Sequence, residues 1–370
     1  MKLKQSINDF LKVDRFGITR EEKRKKILEI GRLQIEYHLE RCEEYACWYK
    51  KNSFKKPRQI NSITDIPFVP SSAFKFLDLK SILNPVKTIS SSGTSSSLKS
   101  KVFIDSSTSV NQTKSLSKIL SSILDKKRKI FYIIDLEPSN SENFDSQMTA
   151  RFAGMQGYLM AAKSKNYLLK KDDKGKITLD FEKLNQIPMN EAVVIIGYTY
   201  MIWEYLVSND IFLEKNFKFP KQTKLIHFGG WKKLYNKRVN KSTLLKKINK
   251  NLSINSENVF DIYGFTEQLG TVYVSKGNLG SRPSAYSEVI VRDCETFEEV
   301  EDGKEGFLQF ISILPLSYPG FSILNDDIGR ITHRSMNNSK IERKEFIVSE
   351  RLEKAESRGC GDTLPEDFYL

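Results

Sequence analysis

The stretch Asn258–Glu267, NVFDIYGFTE, decides the fold. Its first part, Asn258 to Gly264, is an apolar run that stops at a glycine. Its last part sets an aromatic ring, a glycine, a hydroxyl and a carboxylate close behind that run. Three other runs share the character of the first part. KLIHF (Lys224–Phe228) breaks off at Gly229-Gly230, EAVVIIGY spans Glu191–Tyr198, and KIFYIIDL spans Lys129–Leu136 before Pro138. Continuous apolar runs of this length suit strands buried on both faces of a parallel sheet. The longer polar and helical stretches between them predict an α/β layered architecture. Ligands of such sheets lie beyond the carboxyl ends of the strands, where Gly229-Gly230-Trp231 and Gly264-Phe265-Thr266-Glu267 fall.

On either side the pattern changes. Thr19 with Glu22 fits a capping box, and Ile27, Ile30, Leu33 and Tyr37 follow at helical spacing with charged residues on the other face. DIPFVPSSAFKF, from Asp65, carries two prolines in four residues and is extended there. Beyond about Gly280, SEVIVRD, the turn EDGKEG and FLQFISIL read as antiparallel strands. FSILNDDIGRI is a further strand with an acidic pair inside it. The expected organisation is a helical segment at 1–62, an α/β core at 63–280, an antiparallel β-rich subdomain at 281–350 and a polar tail at 351–370 carrying Cys360.

The 370 residues hold 59 Lys and Arg against 46 Asp and Glu, a formal net charge of +13. The lysines are spread along the chain, and the compact block Lys126–Lys129 reads as a solvated loop, so nucleic acid is not an expected partner. The basic balance suits an anionic substrate such as a nucleotide. No run approaches the ~18 apolar residues of a membrane span, and the first residues, MKLKQSINDFLKVDRFGI, lack a secretory h-region. Cys42, Cys47, Cys294 and Cys360 match neither a zinc pattern nor a disulfide framework, which makes a cytoplasmic location the simplest reading.

A second stretch, TISSSGTSSSLKSK (Thr88–Lys101), offers hydroxyls at Ser91, Ser92, Thr94, Ser95 and Ser96, a permissive backbone at Gly93, and charge at Lys99 or Lys101. Such a loop can aim N–H and O–H groups at phosphate oxygens. It lacks the Gly-Lys-Ser/Thr unit of a P-loop, and by itself it reads as a serine-rich linker. Three later features favour phosphate. Glu267 follows a strand, where a carboxylate can hold Mg²⁺ beside phosphate. Asp326-Asp327 places carboxylates at a strand end, within reach of ribose hydroxyls, and Arg351, Lys354 and Arg358 lie close to the C-terminus.

This ordered set resembles the adenylate-forming enzymes. The resemblance implies their large-domain fold, with the C-terminal small domain absent or vestigial. It also implies ATP and Mg²⁺ as cofactors. Carried over by position, the phosphate loop is Ser91, Ser92, Gly93, Thr94, Ser95 and Lys99, with Ser96 where the usual pattern has a second glycine. Gly229, Gly230, Tyr263 and Gly264 frame the nucleotide, Thr266 and Glu267 serve catalysis with Glu267 on the metal, and Asp327 (or Asp326) and Arg351 hold the ribose. HFGGWKK, GYTYMIWE, SYPGFSILNDDIG and KAESRGCGDT further resemble the LuxE acyl-protein synthetases, relatives of phenylacetate–CoA ligase, from about Asp65 to the end.

The LuxE resemblance implies activation of a fatty or other carboxylic acid as acyl-AMP. It also implies acyl transfer to Cys360 as a thioester, and hand-over to a partner such as an acyl reductase or acyltransferase. Flanking glycines would let Cys360 swing, and Arg358 would favour its thiolate. Direct transfer to coenzyme A or another small thiol, and a non-catalytic nucleotide-binding scaffold, are the alternatives. Among the remaining candidates, His38 reads as structural and His333 has no role. His227 stays open between a packed strand histidine and a contact to adenine or acyl group. Tyr200, Met201 and Trp203 are core or pocket wall, and Cys42 and Cys47 are half-buried thiols near the end of one helix.

Overall fold

The apolar runs form adjacent strands in the computed structural model, which describes residues 2–91, 99–125, 127–138, 154–208, 210–231 and 237–351. The fourteen strands among the described residues are numbered in chain order. By contacts the chain divides into two units. One comprises Met1–Leu116, Phe265–Val272 and Arg282–Leu370, the other Ser117–Gly264 and Tyr273–Ser281.

The second unit carries a seven-stranded sheet in the order β10-β9-β8-β7-β4-β5-β6. β4 (Lys129–Leu136), β5 (Ala162–Lys171), β7 (Val193–Tyr198), β8 (Lys224–Phe228) and β9 (Val259–Tyr263) run parallel. β6 (Ile177–Leu179) and β10 (Tyr273–Lys276) close the two edges antiparallel. Every residue of β7 is buried, as expected for a strand covered on both faces. The helix Lys241–Leu252 starts where the Asn240 side chain accepts the Thr243 N–H at 2.8 Å, and it buries Leu244, Leu245, Ile248 and Leu252.

The first unit holds the antiparallel strands. β11 (Ser287–Arg292), β12 (Gly306–Ser312) and β13 (Ser322–Met336) lie side by side, β1 (Val69–Pro70) pairs parallel with β13, and β14 (Glu342–Arg351) pairs with β13 along its later half. The long helix Arg20–Leu39 begins with the expected capping box, Glu22 N–H to Thr19 Oγ1 at 3.3 Å and Thr19 N–H to Glu22 Oε2 at 3.3 Å. Its buried stripe is less apolar than the spacing suggests. Ile27, Ile30 and Ile35 are inside, and so are Lys23, Gln34 and His38.

All three of these polar side chains have partners. Gln34 Nε2 donates to the carbonyls of Pro315 and Ile313 at 3.0 and 3.3 Å. His38 Nδ1 lies 2.7 Å from Ser81 Oγ, and its ring stacks on Phe321 at 5.6 Å. The helix ends at Leu39, and a second one, Glu43–Lys51, follows. Cys42 and Cys47 therefore do not share one helix as expected: Cys42 caps the second helix and is buried, whereas Cys47 is exposed.

Lys23 meets Glu288, which is 1% exposed on β11. Glu288 accepts from Lys23 Nζ at 3.2 Å, from Lys344 Nζ of β14 at 3.0 Å and from the Val289 N–H at 3.0 Å. Burial would raise its pKa, but the two ammoniums and the backbone N–H overcome that and hold it well below the usual carboxylate range. Removing one partner of such a buried group costs about 3–5 kcal/mol. Lys344→Met is therefore expected to lower the free energy of unfolding in urea by roughly that amount. A loss below about 1 kcal/mol would mean that water reaches the carboxylate.

His38 makes stability depend on pH. Burial, aided by Arg41, lowers its pKa to about 3. Below the ordinary histidine value the unfolded chain takes up a proton that the folded chain refuses. Stability therefore falls as pH drops from about 6.5 toward 3, by about 1.4 kcal/mol per unit at the steepest. The slope of unfolding free energy against pH over this window should be shallower in His38→Asn. Equal slopes would mean that the ring ionises in place.

Candidate functional site

At the carboxyl edge of the parallel sheet, β7, β8 and β9 end beside one another: Gly197 and Asp261 are the register partners of His227. β8 turns sharply after Phe228, because Gly229 adopts φ +71, in the left-handed region that favours glycine. A Cβ at Gly229 would also lie 3.0 Å from the Tyr198 ring, whereas one at Gly230 would meet nothing within 4 Å. Aromatic side chains pack against the end of β8, with Phe228 4.7 Å from Tyr198 and stacked on Tyr158 at 4.9 Å. Tyr263 ends β9 with its ring 6.2 Å from Tyr273.

Thr199 opens a short helix, Thr199–Ile202, that continues into a π turn at Trp203–Val207, a form frequent at functional sites. Trp203 is buried against Trp231 at 5.3 Å, and Lys247 Nζ sits 5.0 Å from its ring centroid. The opposite edge of the sheet has a cleft of about 280 Å³. Its Lys129 and Lys224 face the Asp125 carboxylate at 4.0 and 3.6 Å, so their charge is partly answered within the chain.

His227 is buried and lies within 2.9 Å of Thr199 Oγ1 through Nδ1, with Asp261 Oδ1 at 3.6 Å from the same nitrogen. Burial lowers its pKa, while Asp261 pulls upward and Lys241 downward. Neither Thr199 nor Asp261 was a candidate in the sequence. The signal for Asp261 was a carboxylate inside an apolar run.

The chain passes into the other unit after Gly264. There Thr266–Gln268 form one 3-10 turn, with Glu267 buried at 8% exposure. Phe265 packs on Phe310 at 5.1 Å, and the wholly buried Gln268 donates through Nε2 to the carbonyls of Phe310 and Gly320, both at 2.9 Å. Gly320 is required there: a Cβ would fall 2.7 Å from the Glu267 carbonyl and 2.2 Å from the Tyr318 ring. Gln268 escaped the sequence reading because its partners are backbone atoms distant in the chain.

The acidic pair lies within β13 rather than at its end. Asp327 is buried and accepts from Asn325 Nδ2 at 3.1 Å, whereas Asp326 is half-buried, so strand alternation separates the two. Asp327 is the register partner of Arg351, of which only the backbone is described.

The serine-rich stretch joins β2 (Lys87–Ser90) to β3 (Lys101–Ile104), which pair antiparallel. Ser91 and Ser100 close its base, N–H to O at 2.9 Å and Ser100 N–H to Ser91 Oγ at 3.1 Å. Lys99 is exposed. Ser92, Gly93, Thr94, Ser95, Lys354, Arg358 and Cys360 lie outside the described residues.

The sequence matches the acyl-protein synthetase, LuxE, family over residues 4–369. The chain belongs to the LuxE family. Its fold is similar to that of a 2-hydroxyisobutyryl-CoA ligase solved in the postadenylation state, with a TM-score of 0.63 at 13% identity over 90% of this chain and 68% of that one. An open conformation of that ligase, with an acyl-AMP and CoA, gives 0.60 at 15% identity over 90% and 75%. No curated protein matches the sequence. The α/β architecture is thus that of adenylate-forming ligases, and with the family it supports an ATP-dependent ligase that forms acyl adenylates.

The Gly229–Gly230 turn gives a direct check on this edge. Gly229→Ala should cost about 1–2 kcal/mol of stability, from its left-handed backbone and the Tyr198 contact. Gly230→Ala should stay within about 0.5 kcal/mol of the wild type in the same urea titration. Equal costs would show that the turn relaxes around either side chain.

Proposed function

We propose that this LuxE-family chain activates a fatty acid or another carboxylic acid with ATP and takes the acyl group onto its own Cys360, for hand-over to a partner such as an acyl reductase. In the first step a carboxylate oxygen bonds to the α-phosphorus and the bond to the β-phosphate oxygen breaks, giving acyl-AMP and pyrophosphate. In the second the Cys360 thiolate attacks the acyl carbon, AMP leaves, and the thiol proton passes to solvent.

The residues fit ATP. Gly230 presents open space beside the turn, and Tyr263 supplies an aromatic face at the end of β9. They also fit Mg²⁺, which needs only one or two carboxylates beside phosphate oxygens, and Glu267 supplies one. When bound, the ion would offset charge on those oxygens. Glu267 would hold it, Thr266 would contact phosphate, and Asp327 with Arg351 would hold the ribose. Ser91 to Ser95 and Lys99 would surround the phosphates. Catalysis by these groups is positioning and electrostatic stabilisation.

The observation that carries Cys360 is the state of the other thiols. Burial pushes the Cys42 pKa up to about 12, and partial desolvation raises that of the exposed Cys294, which disfavours the thiolate needed for acyl transfer. Cys47 is exposed on a short helix without the paired glycines that flank Cys360. An acyl-protein synthetase must also end with the acyl group on protein.

The test is incubation with radioactive fatty acid and ATP, followed by a denaturing gel and neutral hydroxylamine. The wild type should show an ATP-dependent, hydroxylamine-labile band. Cys360→Ser should lose the band yet still release pyrophosphate, and Glu267→Gln should slow that release about 100-fold or more. Pyrophosphate release without protein label would replace Cys360 by a diffusible thiol. Absence of both would reject the ligase reading.

A further inference from the structure

His227 is tied to a neighbouring strand end by its contact with Thr199. The single proton of the Thr199 hydroxyl has its shortest carbonyl acceptor in Gly229, at 2.8 Å, with the Phe228 carbonyl at 3.3 Å. The hydroxyl oxygen is therefore left to accept from His227, so Nδ1 carries a proton and donates across 2.9 Å. Asp261 Oδ1, 3.6 Å from that nitrogen, favours the same tautomer. A chain of contacts thus runs Asp261, His227, Thr199, Gly229 carbonyl across three neighbouring strand ends.

That carbonyl belongs to the peptide between Gly229 and Gly230, where no side chain restrains rotation. A trans peptide is planar, with its C=O and N–H pointing opposite ways. Fixing the Gly229 oxygen therefore aims the Gly230 N–H, which makes no hydrogen bond among the described residues. We propose that His227 and Thr199 are positioning residues that orient this N–H toward an acceptor nitrogen of the bound adenine. The inference rests on the adenylate reading above. The charged groups facing the imidazole are Asp261 from β9 and Lys241 from the start of its helix. Nδ1 keeps its proton whether the ring is neutral or charged, so the relay persists on both sides of the histidine titration.

Equilibrium binding of ATP to the full chain tests this, with the Michaelis constant for the carboxylic acid measured in parallel. Thr199→Val and His227→Leu should each weaken ATP binding about five- to tenfold and leave the acid constant unchanged. Combining them should cost no more than either alone. Thr199→Ser restores the hydroxyl, and His227→Asn offers an N–H near the Nδ1 position; both should bind within about twofold of the wild type. If Thr199→Val does not fold, the Leu and Asn variants of His227 decide. ATP binding unchanged in Thr199→Val, additive losses in the double variant, or equal losses for ATP and acid would overturn the relay alone. A wild type that binds no ATP would instead overturn the nucleotide reading on which it rests.

Discussion

One carboxylate organises the first unit. Glu288 sits out of water between Lys23 and Lys344, and these come from the helix Arg20–Leu39 and from β14. Two ammoniums and a backbone N–H offset the cost of burying that carboxylate. They also make it selective. A one-residue slip of β14 would turn Lys344 to the other face of the sheet and leave the charge unanswered. A second layer extends the same logic outward: Glu342 faces Arg20 and Arg334, and Arg334 grips Asp302 through two hydrogen bonds. The register thus enforced is the one that sets Arg351 opposite Asp327.

The candidate residues fall in both units, and each unit has its own means of holding the backbone. In the sheet unit a glycine turn is set by side chains from neighbouring strands. In the other unit the turn carrying Thr266 and Glu267 is fastened from beneath, with Phe265 and Gln268 on β12 and Thr271 Oγ1 2.6 Å from Ser312 Oγ. Both devices fix the backbone through side chains of neighbouring elements. The motif from Tyr263 to Glu267 is contiguous in sequence, yet its halves belong to different compact units.

The strands were legible because burial on both faces forces continuous apolar runs, as in β4, β7 and β8. The capping box at Thr19 and Glu22 was legible because both partners lie within one turn. What escaped depends on partners far apart in the chain. Lys23 looked like one more solvated charge, since nothing in its neighbourhood announces Glu288. The contact of His227 required Thr199, and those of Gln268 required the carbonyls of Phe310 and Gly320. The choice between Asp326 and Asp327 needed to know which side of β13 faces inward.

The Ser91–Ser100 closure sets a tether length. Chain advances at most ~3.6 Å per residue, so an arc anchored at both of those residues cannot extend beyond about 15 Å from its base. A hydroxyl side chain and one hydrogen bond add about 5 Å, so any phosphate group served by its hydroxyls must lie within about 20 Å of that base. Because closure entropy changes only slowly with loop size, a few added residues would widen the radius at small thermodynamic cost. The length of this arc is therefore a variable through which related chains can adjust how far their hydroxyls reach, with the paired strands beneath left unchanged.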